Sequence, residues 1–327
     1  DEYIAAHCRN VDQWLQAVDR FSWEEIETKS GVARSEIESI AEVYAQSKKS
    51  VFSWTMGITH HSHGVQYVQA NASLALCRGM VGQRGCGLMP IRGHSNVQGI
   101  GSVGVTPKLK ARIFESLEQK FDVRLPTTTG KDTLACIEAA NKFEISVGFC
   151  LGGNLYGSNP DSKFAAEALS RLDMNVMLST TMNTGHVNGL AGETIILPVL
   201  ARDEEPEPTT QESMFNYVRL SDGGPRRLPG PRREVEVIAE IAQQLVPGAS
   251  GIDWETMKRT STIRSWIGAV VPGYEKIAEI DETKQEFQID GRTFHTPQFA
   301  TDDGRAAMLV HTLPDLKGTG DRELRLM

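Results

Sequence analysis

The stretch EISVGFCLGGN, Glu144 to Asn154, runs from a strand-sized apolar segment straight into two glycines and an asparagine. DSKFAAEALSRL, Asp161 to Leu172, follows as a helix, and Asn175 to Leu178 reads as the next strand. Ile195-Ile196-Leu197-Pro198 gives a third. Strand, helix and strand in alternation predict an α/β fold with a mostly parallel sheet. Upstream, residues 1 to about 50 read as helices, with Ser35 to Glu38 fitting a capping box and Ile37, Ile40, Ala41 and Tyr44 at helical spacing. Val51 to Thr55 is a short strand running into Met56-Gly57, and after Gly64 a helix follows that Gly79 or Gly82 should end. Downstream, Arg233 to Leu245 is expected to bury Val235, Ile238, Ile241 and Leu245, while Pro, Glu and Gly between Arg202 and Arg233 predict a long irregular segment. The final DRELRLM reads as a strand just beginning.

The chain has 327 residues, enough for about two domains. A formal net charge of −8 argues against nucleic acid or an anionic membrane as a main partner. No apolar run approaches the roughly 20 residues that span a bilayer, so no membrane span is expected. Cys8, Cys77, Cys86, Cys136 and Cys150 are scattered and form no CxxC pair. The expectation is reduced thiols in a cytoplasmic protein, with no iron–sulfur or zinc site built from this chain. Asp1 in place of a start methionine, and the abrupt end, suggest an internal segment of a longer polypeptide.

The loops that could carry chemistry fall where strands end: Trp54 to Gly57, Gly152 to Asn154, and Ser179 to Thr181. In open parallel sheets ligands sit beyond the carboxyl ends of the strands, where glycine admits close approach and exposed amides offer neutral donors to anions. The polar window around Ser179, Thr180, Asn183 and Asn188 suits a large phosphorylated cofactor. Glycine-rich strand ends also make ordinary turns, and neither GxGxxG opening a helix nor GxxxxGK[ST] is present. His60, His61 and His63 form an HHxH run without an accompanying carboxylate pattern, so hydrogen bonding within the loop is the default reading over metal ligation. His94 and His186 stand between that role and a functional contact. Arg92, in the loop GLMPIRGHSNVQG (Gly87 to Gly99), has no acidic residue within ten positions on either side. Its planar fork is suited to grip an anion at two oxygens, or to cap backbone carbonyls.

SWTMGITHHSHG (Ser53 to Gly64) and LALCRGMVGQRGCGLMPIRGHSNVQG (Leu74 to Gly99) resemble the central region of molybdopterin-dependent oxidoreductases. FCLGGNLYGSNPD, TTMNTGHVNG, ETIILP and LARDEEPEPTTQESMFNYV continue the same order of motifs, and the resemblance covers roughly residues 1 to 320. The most similar branch holds formate dehydrogenase alpha subunits and their uncharacterised relatives. The resemblance implies Rossmann-like, doubly wound, mostly parallel sheets of the formate dehydrogenase/DMSO reductase type, present here in part. It implies molybdenum or tungsten held by two molybdopterin guanine dinucleotides, a 4Fe-4S cluster bound by residues outside this chain, a small anionic substrate such as formate, and an electron-transfer subunit. Arg92 takes the position of the arginine that holds formate beside the metal. Met56, Gly57 and Thr59 match a cofactor loop in which His60 replaces a common glutamine. Gly93 and His94 fall along the pterin, and Gly153, Asn154, Ser179 and Thr180 at the strand ends that hold the second dinucleotide. No residue of this chain is assigned as a metal ligand. TTMNTG lacks a lysine frequent in relatives, which implies an altered phosphate contact. Residues 1–94 and 95–262 would be the second halves of two neighbouring α/β domains, and 263–327 a connection towards a further dinucleotide-binding domain. Such a segment alone is expected to leave sheet edges open, to be poorly stable and to be inactive.

Overall fold

A computed structural model describes residues 2–246 and 251–315. The residues DRELRLM, expected to begin a strand, lie outside the described residues. The chain divides into two compact units. One holds the residues up to His94, Met214–Asn216 and the described residues from Asp290 on; the other holds Ser95–Ser213 and Tyr217–Ile289.

The first unit opens with helices Glu2–His7, Val11–Val18, Trp23–Ser30 and Arg34–Gln46, with β1 (Cys8–Arg9) between the first two. Ser22 caps the third helix by accepting the Glu25 N–H at 3.1 Å, and Gly31 at φ 71° closes it. The fourth helix corrects an expectation. It starts at Arg34, with its cap at Ala33, two residues before the anticipated Ser35, because carboxylates already serve its first amides: Glu36 accepts the Ala33 N–H at 3.2 Å and Glu27 the Arg34 N–H at 2.7 Å. Glu38 bonds Arg34 instead, and of the anticipated apolar face Ile40 and Ala41 are exposed while Tyr44 packs inward.

β2 (Val51–Trp54) and β3 (Gly87–Pro90) pair in parallel, Val51 opposite Gly87 and Trp54 opposite Pro90. Between them run a short helix, Met56–Thr59, and the helix Gly64–Cys77, which buries Ala75 and Leu76 in a core with Met80 and Val81. Gly79, at φ 64°, ends that helix, and the Met80 N–H reaches back to the Ala75 carbonyl at 2.8 Å. The stretch expected as one long loop is therefore shorter. Gly87 to Pro90 is strand and Val97–Ser102 a short helix, so only Ile91 to Asn96 is loop.

In the second unit β4 (Val147–Leu151), β5 (Met174–Ser179) and β6 (Glu193–Pro198) form a parallel sheet with β5 in the middle. The helix Ser162–Leu169 makes the first crossover, capped by Asp161, which accepts the Phe164 N–H at 2.9 Å. Paired residues share a sheet face, so Phe149 lies beside Val176 and Leu151 beside Leu178. The helix Glu234–Leu245 covers that face over Leu178 and Val199, but Val147, Phe149 and Leu151 remain 57%, 44% and 55% exposed. The buried stripe of this helix is not the expected one. Ile241 packs inward as expected, but it does so beside Val237, in line with a buried Arg233, while Ile238 and Leu245 are exposed.

The Arg202–Arg233 interval is also more ordered than expected. It contains β7 (Thr209–Glu212) and β8 (Tyr217–Ser221), an antiparallel hairpin extended by β9 (Phe287–Gln288). Val218 and Phe287 enter a core with Ile113, Val271, Tyr274 and Ile280. Back in the first unit, β10 (Ala306–Ala307) pairs with β1 in parallel. Among the described residues no helix is long and apolar enough to cross a membrane.

Candidate cofactor-binding strand ends

The residues singled out from the sequence fall into two groups, one on each unit. In the first, the ladder between β2 and β3 continues one step past the strands, where the Ile91 N–H donates to the Trp54 carbonyl at 2.8 Å. Two loops therefore leave the same carboxyl edge side by side. One carries Met56, Gly57, Thr59 and His60; the other carries Arg92, Gly93 and His94; all seven are exposed. The chain turns tightly after β2, with the Ile58 N–H on the Thr55 carbonyl at 3.0 Å and the His60 N–H on the Met56 carbonyl at 2.8 Å. A Cβ added at Gly57 or Gly93 would meet no protein atom within 4 Å. His61 and His63 pack edge-on against Tyr67, with ring centroids 5.0 and 6.3 Å away. Among the described residues no cluster of three His, Cys, Asp or Glu side chains has metal-binding geometry.

In the second unit, β4 ends in Gly152 and Gly153 at φ 65° and 77°, a left-handed turn that only glycine enters cheaply. The Gly152 N–H donates to the Leu178 carbonyl at 2.7 Å, joining this turn to the end of β5. The two loops are then cross-linked by neutral side chains. Asn183 donates through Nδ2 to the Gly153 carbonyl at 2.9 Å, and its Oδ1 accepts the Gly185 N–H at 2.9 Å. Asn154 donates to Thr184 Oγ1 at 2.8 Å and accepts the Gly157 N–H at 2.8 Å. Gly185 is confined: a Cβ there would come within 2.5 Å of Asn154 Oδ1.

Ser179 and Thr180, expected together at the strand end, behave differently. Thr180 is exposed, whereas Ser179 is buried and its Oγ lies 2.9 Å from Nε2 of the buried His186. Sequence reasoning left His186 undecided and put no weight on Asn183 as a strut. The available signal was an asparagine three residues before a histidine in a polar loop, the spacing of a side-chain-capped turn. Cys150, on the strand beneath, contacts Asn175 Oδ1 at 3.5 Å, and burial pushes its thiol pKa up. Burial does the same for Cys8 and Cys77, and none of the five cysteines is bridged. Such thiols are poor nucleophiles and poor metal ligands.

The molybdopterin oxidoreductase family profile matches residues 25–201. Protein YdeP of Escherichia coli K12 is 33% identical over 282 residues, 84% of this chain and 37% of that protein. The F420-dependent formate dehydrogenase subunit alpha of Methanocaldococcus jannaschii is 24% identical, matching 96% of this chain and 48% of its own length. Among solved structures, acetylene hydratase from Pelobacter acetylenicus superposes with a TM-score of 0.61 at 14% identity, over 94% of this chain and 45% of that one. The chain spans about two fifths of the length of the curated relatives that it matches first.

Proposed function

The chain belongs to the molybdopterin oxidoreductase family, and on that premise we propose that it is the central part of an enzyme oxidising formate or a similar small anion. The cofactor in this reading is molybdenum or tungsten carried by two molybdopterin guanine dinucleotides. The single observation that carries the reading is the pair of exposed, glycine-bearing strand ends, one of which also carries Arg92.

These residues fit such a group. A phosphorylated, ring-bearing ligand needs backbone approach and neutral donors; the open space over Gly57, Gly93, Gly152 and Gly153 admits the approach, and the exposed Thr180 hydroxyl is a neutral donor. Met56, Gly57, Thr59, His60, Gly93 and His94 would lie along one pterin; Gly153, Asn154, Ser179 and Thr180 would hold the other dinucleotide. When bound, the metal–pterin group supplies the two-electron chemistry. The work of the chain is to orient. Arg92, on the loop after β3, would bind the carboxylate of formate at two oxygens and stabilise negative charge next to the reacting carbon. An iron–sulfur cluster, a metal-ligating side chain and an electron-transfer subunit belong, in this reading, to chain or partners beyond these residues. An oxyanion or an S- or N-oxide would be gripped by the same guanidinium, so substrate is decided by assay; a cofactor-binding homologue without catalysis is the remaining alternative.

The test uses the full-length protein. Molybdenum and tungsten per chain are measured together with formate-dependent dye reduction. About one metal per chain is expected. Arg92→Ala should keep that metal and lower kcat/KM for formate by about 10²–10³. Loss of the metal in this variant would make Arg92 structural, and a wild-type protein without metal would refute the reading.

A further inference from the structure

His186 is 5% exposed, and its two ring nitrogens have different partners. Nδ1 lies 2.8 Å from the backbone nitrogen of Asn183. A backbone amide can only donate, so Nδ1 must present its lone pair. The neutral ring then carries its hydrogen on Nε2, and at 2.9 Å it donates to Ser179 Oγ. Ser179 is thereby used as an acceptor, and its own hydroxyl hydrogen is released for another partner. Among the described residues Ser179 Oγ makes no second hydrogen bond. Ser179 closes β5, next to the Gly152 turn that bonds the Leu178 carbonyl.

We propose that His186 is a positioning residue: as the Nε2–H tautomer it turns the Ser179 hydroxyl into a donor for a phosphate or ring oxygen of the cofactor, and through Asn183 it ties that donor to the Gly153 loop. The chain of contacts is continuous. The His186 ring holds the Asn183 N–H, the Asn183 amide holds the Gly153 carbonyl, and Gly153 stands at the turn that faces open space. Each of these groups is neutral, which suits a site that must present directed hydrogen bonds. This inference rests on the cofactor reading above.

The experiment compares His186→Ala, His186→Gln, Ser179→Ala and the Ala/Ala double variant in the full-length protein. The readouts are guanine dinucleotide retained per chain after dilution and the melting temperature of cofactor-free protein. His186→Ala and Ser179→Ala should each speed cofactor loss about tenfold. The double variant should be no worse than either single one, because both remove the same donor. His186→Gln, which keeps an N–H donor at the same reach, should recover most of the retention. Wild-type retention in Ser179→Ala, or losses that multiply in the double variant, would overturn the proposal. If His186→Ala does not fold, Ser179→Ala and His186→Gln still decide it. A wild-type protein that holds no dinucleotide sinks the functional reading itself, a different result from wild-type and variant proteins holding it equally.

Discussion

Gly57→Ala separates what the fold needs from what a ligand needs. In the structure a Cβ at Gly57 meets nothing within 4 Å, and its backbone is not in the left-handed region. It sits inside the helical turn Met56–Thr59, where alanine is favoured over glycine by about 0.5–1 kcal/mol. The turn is short and exposed, so the lower figure applies, and the cofactor-free protein should melt no lower than wild type. If a pterin lies on this loop, the added methyl enters a filled contact. Overpacking of that kind costs about 1–3 kcal/mol, or roughly 5- to 150-fold in affinity. Stability and cofactor affinity should therefore move in opposite directions or, at the least, not together. The assay measures melting of cofactor-free full-length protein beside cofactor content under limiting supply. Wild-type cofactor content in Gly57→Ala would refute the placement of this loop against the cofactor. A lower melting temperature without cofactor would refute the open geometry on which the argument stands.

Arg233 is 5% exposed at its side chain and meets Glu205, Glu207 at 2.9 Å and the Lys258 carbonyl at 3.1 Å. Arg233→Ala strands the carboxylate of Glu205, while Glu207 keeps Thr260, so a cost near the low end of the buried-pair range, about 3 kcal/mol, is expected. For a unit of this size that is about 6–12 °C in Tm, and adding Glu205→Gln should restore part of it; a change under about 2 °C would refute the burial argument. Glu240 offers a pH test. Hydrogen bonds from Arg232, then Lys258, hold its pKa down to about 2, so its contribution is full above its ordinary 4.5 and is lost as pH falls from there towards 2. Glu240→Gln should melt below wild type at pH 5, and the gap should narrow steadily as pH falls through 4.5 towards 2; a constant difference would contradict the pairing.

The βαβ core was readable because its signals are local. EISVGFCLGGN and NVMLS are apolar runs of strand length, and Asp161 announces the intervening helix by capping it. β7 and β8 were missed because their pairing is not local. Thr209–Glu212 and Tyr217–Ser221 are short and half polar between prolines, and the third strand of their sheet is Phe287–Gln288, far along the chain. Gly87–Pro90 was hidden likewise, since a strand made of Gly, Leu, Met and Pro is recognised only by its partner Val51–Trp54. At the candidate site, glycine clusters marked where loops leave strands, so Gly57 and Gly153 could be named in advance. The burial of Ser179 could not. It depends on which way the turn Thr184–His186 aims the imidazole, a choice fixed by the Asn183 contacts.

With a net charge of −8, a polyanionic cofactor of the kind proposed above would set a further requirement on these strand ends. Screening confines long-range repulsion to about a Debye length, ~8 Å at physiological salt, so recognition has to be won at contact distance. Both groups have the composition this demands. Neither contains a carboxylate among the residues singled out, and apart from His186 the second consists of glycines, asparagine, serine and threonine, whose donors carry direction without net charge. Arg92 belongs to the loop proposed to meet a small anion, where a two-point grip would offset its desolvation. In the proposed reading, donors for the dinucleotide and a guanidinium for the substrate would thus be separate devices. Substitutions at Asn154 or Ser179 should therefore act on cofactor retention, and those at Arg92 on turnover.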